Sequence, residues 1–271
     1  MTGQGDERLR VTYVGHATLL LELAGVRILT DPNFDPRLGG FLPRVSPPGI
    51  ALEELPRLDA MLLTHAHADH LSFASLAALP REVPLYAPPA VARWLGRRGY
   101  SNALALAPDE SVNIGAVEIT AAAARHMGAR YAVDRWRSAA NMYLLDDSRS
   151  TCFFAGDTAL SADGHRIVHE RLPSSGRRSL DVALLPIGHA PWWKRAAFRR
   201  GHLTPGDALT LFESLGARYF IPYHCGTFQH VTSGPFQAIH ELRAQLEDHH
   251  RTSDVKILEP GSSFQLAGRE P

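Results

Sequence analysis

The chain opens with three short runs of apolar and β-branched residues, 9-LRVTYV-14, 18-TLLLEL-23 and 26-VRILT-30. Their length and residue types predict strands, and Ala24-Gly25 predicts a tight hairpin turn between the last two. The next stretch, 31-DPNFDPRLGGFLPRVSPPG-49, is rich in Pro and Gly and has no period. A loop of that length inside a compact fold is commonly functional. The apolar run 59-DAMLLT-64 predicts a buried strand. A helix is expected at about 72–79, a strand near 83–86, and a helix over 89–99 with Pro at its start and Gly at its end. Further strands are predicted near 103–106, 116–122, 140–146, 151–155, 181–185 and 218–221. Helices are predicted over 205–216 and about 235–248, and a last strand over 255–259.

A strand-rich stretch followed by alternating strands and helices thus occurs twice. That texture predicts an α/β fold, an αββα sandwich of two mixed β-sheets with helices on the outer faces. No linker, short repeat or low-complexity tract interrupts it, so residues 1–271 are expected to form one domain.

Composition adds limits. Apolar residues at 45% and charged ones at 21% suit a soluble globular protein. Lys+Arg and Asp+Glu are both 28, so nothing global argues for a nucleic-acid partner, and any basic patch must be local. Two cysteines, Cys152 and Cys225, cannot frame the fold by disulfides, which suits a reducing cytoplasm. The N-terminal MTGQGDERLR is polar and charged, unlike a secretion signal. No apolar run approaches the roughly 18 residues of a membrane span.

Histidine is the outlier, with 14 copies. Three of them fall in 64-THAHADHLS-72, directly after a predicted strand. In extended chain His65 and His67 share a face, and the chain must turn before Asp69 and His70 join them. Imidazoles with a carboxylate suit zinc and other borderline divalent ions. A polar helix N-terminus with Asp69 near the cap is the alternative, but four ligand-type side chains at this spacing favour metal. Two ions need more than four ligands. His126 in ARHMG, Asp157 in AGDT and His224 in PYHCGT each follow a predicted strand and could supply the rest.

The HxHxDH motif with these later His, Asp and His residues resembles the metallo-β-lactamase superfamily, from Val14 to about Ile257. The flanks 14-VGHATLLLELAGVRILTDP-32, 185-LPIGH-189, 202-HLTPGDA-208 and 222-PYHCGTF-228 resemble one branch of it. That branch holds the N-acylphosphatidylethanolamine-hydrolysing phospholipase D and the ascorbate-6-phosphate lactonase-like proteins. Cys225 stands where its members often carry Trp. The resemblance implies that His65, His67 and His126 bind one divalent ion, that Asp69, His70 and His224 bind another, and that Asp157 bridges them. Such a pair lowers the pKa of a shared water and makes hydroxide available at neutral pH. Zinc suits the His-rich set, and manganese or iron also accept mixed nitrogen and oxygen ligands. Catalytic roles are implied for Asp69 and for His202, which could protonate a leaving group or hold a phosphate oxygen.

His16 and Asp31 belong to the flanking pattern. His16 could line the site. Asp31 could accept a hydrogen bond from a ligand imidazole, or simply begin a turn with Pro32. His189 also falls after a predicted strand. The segment 190-APWWKRAAFRRG-201, with Trp193 and Lys194, reads either as a wall facing an anionic, partly apolar substrate or as an amphipathic surface turn. Its residue types also suit peripheral contact with a membrane, although no second anchor is visible in the sequence.

The function expected is a cytoplasmic, bacterial metal-dependent hydrolase that cleaves a phosphodiester in a small-molecule or lipid-like anionic substrate. The same site could open a lactone or other acyl ester. A non-hydrolytic redox or sensing role would call for a flavodoxin-like partner domain, a nuclease for an inserted domain, and a drug-hydrolysing lactamase for a secretion signal. Cys225 is not read as a nucleophile, since no independently spaced Cys-His pair supports it.

Overall fold

The computed structural model describes residues 8–131, 138–172, 179–229 and 232–267. The N-terminal polar stretch at positions 1–7 lies outside the described residues.

Strands β1 (Arg10–Gly15), β2 (Thr18–Leu23) and β3 (Val26–Thr30) form an antiparallel meander. Ala24 and Gly25 turn the β2–β3 hairpin with φ of 50° and 77°, as a two-residue turn matched to strand twist requires. The Pro/Gly-rich stretch that follows carries a small hairpin, β4 (Arg37–Leu38) and β5 (Leu42–Pro43). The chain then runs through β6 (Ala60–Leu62), helix α1 (Phe73–Ala78), β7 (Leu85–Ala87), helix α2 (Pro89–Arg97) and β8 (Ala103–Ala105). β3, β6, β7 and β8 pair in parallel.

The second sheet begins with β9 (Ser111–Ile114), β10 (Val117–Ala123), β11 (Asn141–Asp146) and β12 (Thr151–Phe154), all antiparallel. Helix α3 (Ala162–Arg171), β13 (Val182–Pro186), the short helix α4 (Arg195–Phe198), helix α5 (Pro205–Leu215) and β14 (Tyr219–Tyr223) follow, with β12, β13 and β14 parallel. Helix α6 (Gln237–Leu246) packs outside, and β15 (Ser263–Gln265) returns to pair with β1. The result is a seven-stranded sheet and a six-stranded sheet.

Strand alternation builds three apolar layers from one sequence. In β12 and β13, Cys152, Phe154, Val182 and Leu184 face the other sheet. Their neighbours Phe153, Ala183 and Leu185 face α3, α5 and α6. In β6, Leu62 faces the inter-sheet core while Met61 joins the layer under α1 and α2. A strand buried on both faces has no polar alternation, which explains why these runs read as continuously apolar. The architecture is the expected αββα sandwich. The two sheets are also tied directly: Tyr143 Oη donates to Leu63 O at 2.8 Å and Asn141 N to Thr64 O at 2.9 Å.

Several boundaries differ from expectation. The strand expected over 255–259 is absent. Val255 makes one parallel bridge to Phe220, after which the chain leaves the edge of β14. By Gly261 its backbone N–H donates to Tyr13 O in the other sheet, so this segment crosses the sandwich instead of extending it. β15, β9, α3 and α4 carry weak apolar patterns and were not expected. The alternation of β9 is half exposed, and only Gly164, Ile167 and Val168 of α3 are buried.

Candidate metal centre

The side chains of the expected metal set lie past the C-terminal ends of strands. His65 and His67 follow β6, His126 follows β10, Asp157 follows β12 and His224 follows β14. Asp69 and His70 occupy the turn before α1. That turn is held from both sides. Asn33 Nδ2 donates to Ala68 O and Asp69 O at 2.9 and 3.1 Å. The Arg130 guanidinium donates to Leu71 O at 2.7 Å and Ala66 O at 3.3 Å. His16, Asp31 and His224 take positive φ values of 55°, 35° and 72°. Non-glycine residues in that region cost free energy and concentrate at functional sites. The strained turns are joined, because His224 N donates to His16 O at 3.1 Å.

The donor atoms form two adjoining sets. In one, a ligand atom each from His65, His67, His126 and Asp157 lies within 4.8 Å of every other. In the second the same holds for His16, Asp69, His70 and His224. Asp157 reaches both: Oδ2 is 4.0 Å from His65 Nε2 and 3.9 Å from His126 Nε2, and Oδ1 is 3.2 Å from His224 Nε2. His16 Nε2 lies 3.0 Å from Asp69 Oδ2 and so enters the second set, beyond the lining role expected of it.

The outward ring nitrogens are already committed. His70 Nδ1 donates to Asp31 Oδ2 at 2.7 Å. His126 Nδ1 donates to Gly201 O at 2.7 Å. Thr64 donates its hydroxyl proton to Asp31 Oδ2 at 2.7 Å and therefore accepts from His65 Nδ1 at 2.9 Å. A neutral imidazole has one N–H, so His65 and His126 turn bare Nε2 lone pairs inward, and His70 does the same once a cation replaces its second proton. There they meet other acceptors. His70 Nε2 is 3.4 Å from Asp157 Oδ2 and 3.2 Å from His224 Nε2, and His126 Nε2 is 3.1 Å from His67 Nδ1. His65 Nε2 and Asp157 Oδ1 are buried and have no hydrogen-bond partner among the described residues. Lone pairs aimed at lone pairs and carboxylate oxygens call for cations between them, so the residues fit a metal centre.

The electrostatics state the same demand. Burial alone would lower the His70 imidazole, but Asp157, Asp69 and Asp31 carry it well above the ordinary histidine range. His224, against the same opposition from burial, is pushed up to about 9 by Asp157 and Asp69. Burial opposes ionisation of Asp69 and Asp157, yet the neighbouring imidazoles hold both well below the carboxylate range. In the first set burial wins: His126 falls to about 4 and His65 well below its usual value.

His202 joins the cluster from the α4–α5 connection. Its Nε2 is 3.6 Å from Asp157 Oδ2, and its ring stacks on Phe198 with centroids 4.6 Å apart. A capping box between Thr204 and Asp207 starts α5, and Arg199 pairs with the same Asp207 carboxylate, which ties α4 to the helix behind it. His189 stands past the end of β13, its Nδ1 donating to Glu241 at 2.7 Å. Trp193 and Lys194 are exposed on the turn entering α4. Burial pushes the Cys225 thiol up to about 12, away from nucleophilic use.

Sequence reasoning missed the supports: Thr64, Asn33, Arg130, the Gly201 carbonyl and Glu241. Thr64 and Asn33 border motifs that were singled out. Arg130 and Glu241 had no local signal.

A family model described as the beta-lactamase superfamily domain matches residues 26–225. The chain belongs to the metallo-β-lactamase superfamily. It is 28% identical over 273 residues to N-acyl-phosphatidylethanolamine-hydrolyzing phospholipase D 1 of Caenorhabditis elegans, spanning 93% of this chain and 74% of that one. It is 28% identical over 262 residues to a UPF0173 metal-dependent hydrolase of Methanopyrus kandleri, spanning 95% of this chain and all of that one. The crystal structure of isothiocyanate hydrolase from Delia radicum gut bacteria shares the fold, with a TM-score of 0.77 at 20% identity over 96% of this chain and 100% of that one.

Proposed function

We propose that this metal-dependent hydrolase works with two divalent ions and cleaves a phosphodiester in an anionic, lipid-like substrate. The observation that carries the two-ion reading is Asp157, whose carboxylate lies between the donor sets: Oδ2 faces His65, His126 and His70, and Oδ1 faces His224. The imidazole-rich donors favour zinc over manganese or iron. When bound, such a pair makes hydroxide available from water at neutral pH and neutralises charge on the attacked group.

The chain's own residues do the remaining work. Asp31, Thr64 and the Gly201 carbonyl keep ring protons on the outward nitrogens, leaving the inward lone pairs of His70, His65 and His126 free. His16 steadies Asp69, whose carboxylate faces His70 and His224. His202 supplies the proton for the departing oxygen: its Nε2 borders Asp157, and its side chain is about one-third exposed. Support for a phosphodiester comes from the phospholipase D relative. The cations of the 190–201 segment favour a negatively charged substrate. A cytoplasmic location belongs to the same reading and is supported by the two free cysteines.

The test compares initial rates of zinc- or manganese-loaded protein on an aryl phosphodiester and on a simple lactone, with Asp157→Ala as the blank. Phosphodiester turnover well above the blank is expected. Turnover of the lactone alone would move the reading to acyl hydrolysis, and turnover of neither would overturn it.

A further inference from the structure

Among the described residues, nine large apolar side chains are exposed, and eight belong to loops around the candidate metal centre. Leu104, in β8, is the exception. Met127 directly follows His126, and Leu160 lies in the loop after Asp157. Trp192 and Trp193 lead into α4, beyond which Gly201 O holds His126 and His202 borders Asp157. On another loop, Phe41 tips the β4–β5 hairpin, which Arg44 bridges to Phe228, a ring packed edge-on against His16. Exposures of 86% for Trp192, 72% for Phe41 and 67% for Met127 leave these side chains largely uncovered. Scattered apolar residues on a surface need no explanation, but their concentration at one functional edge does.

The charge of this edge is also biased. No acidic residue occurs between Asp181 and Asp207, while Lys194 and Arg200 are exposed there, and Arg195, half exposed, lies 3.8 Å from Glu241. Arg125 is exposed beside Met127, and Arg37 on the hairpin that carries Phe41. The chain as a whole is neutral, so these cations mark a local asymmetry.

We propose that this rim docks on the face of an anionic lipid bilayer. Trp192 and Trp193 enter the headgroup region, Phe41 and Met127 add contacts from separate loops, and Lys194, Arg195 and Arg200 pair with anionic headgroups. Indoles favour that boundary because they are apolar rings with one polar N–H. The loops converging here give the second anchor that a single segment lacks. A fluid headgroup layer conforms to separate loop tips around a cleft. A second copy fits poorly, since a two-fold contact would set the same cations against one another. The inference extends the proposed function by naming what brings a lipid-like substrate to the site. It is tested without turnover, so either can fail alone.

The experiment is cosedimentation of the full chain with vesicles of phosphatidylcholine alone or mixed with phosphatidylglycerol, at low and high salt, with metal loaded and after chelation. Binding to the mixed vesicles with a blue shift of tryptophan emission is expected in both metal states. It should weaken at high salt. Lys194→Gln with Arg195→Gln should lower the partition coefficient by about tenfold or more. Trp192→Ala with Trp193→Ala should abolish the emission shift and most of the binding, with an unchanged Tm as the control for folding. The proposal is overturned by no binding, by binding that survives the tryptophan changes, by binding only when metal is present, or by a lipid-free dimer that those changes dissolve.

Discussion

His70 and Asp31 meet at 2.7 Å between Nδ1 and Oδ2, both with no exposed side-chain surface. Asp31 also accepts from Thr64 N and Thr64 Oγ1, each at 2.7 Å, so one carboxylate fixes His70 directly and His65 through Thr64. A partner of this kind orients a ligand ring and sets its tautomer, and its loss typically lowers metal affinity about 10- to 100-fold. Asp31→Ala is expected to raise the zinc Kd by that factor, measured by competition with a chromogenic chelator. Three buried donors would also lose their acceptor, at roughly 1–3 kcal/mol each in the metal-free protein. An unchanged Kd would mean that the pair is structural only.

Asp157 is the residue that the two donor sets share. Asp157→Asn keeps the shape but removes the charge that holds His224 and His70. With two ions bound as proposed, the metal content by elemental analysis should fall to one ion per chain or none, with turnover at the blank. His67→Ala should affect the first set selectively, because His67 contributes to that set alone. Two ions retained by the Asp157 variant would remove the bridging role.

The metal-free protein should be most stable near the ordinary histidine pKa of 6.5. His126 has a folded value of about 4, below its value of 6.5 when unfolded, so the unfolded chain binds more protons between the two. Stability from this group is therefore present above pH 6.5 and lost as the pH falls toward 4. His224 has the opposite sign. Its folded value is about 9, so its contribution is complete below pH 6.5 and is lost as the pH rises through 9. Thermal melts in the presence of chelator should trace a bell over this range. Added zinc should lift the alkaline limb most, because metal replaces the protons on His70 and His224. A monotonic profile would contradict this assignment of charge.

How much of this was legible beforehand depends on how local each signal is. The HxHxDH motif announces itself within six positions, and β1, β2 and β3 carry strand-type residues bounded by turns. His126, Asp157 and His224 could be picked out because each follows an apolar strand. The crossing segment after Val255 could not: VKILE has strand composition, and its distant partner Tyr13, bonded by Gly261 N and Ser262 O, takes the chain to the other sheet. Arg130 and Glu241 act on Leu71 and His189, far away in sequence, so no window that contains them contains their partners. His16 was read as a wall, and only the approach of β1 to the Asp69 turn makes it a neighbour of His70 and His224.

Gly156 and Gly216 separate backbone strain from crowding. Both adopt left-handed φ, 56° and 62°. A Cβ on Gly216, at the end of α5, would meet nothing within 4 Å. Gly216→Ala is therefore expected to cost about 1 kcal/mol, the penalty of that conformation for alanine, and to leave the zinc Kd unchanged. A Cβ on Gly156 would lie 2.7 Å from Thr64 Cγ2, 2.8 Å from Thr64 Cβ and 3.0 Å from Asn141 O. Overpacking of that kind adds about 1–3 kcal/mol, and the residue it would displace is the one that supports His65 and Asp31. Gly156→Ala should therefore lower stability by roughly 2–4 kcal/mol in denaturant melts and weaken zinc binding as well. Equal losses in the two variants, with equal zinc affinity, would show that the contact with Thr64 relaxes freely and that the support of the metal set is looser than its hydrogen bonds suggest.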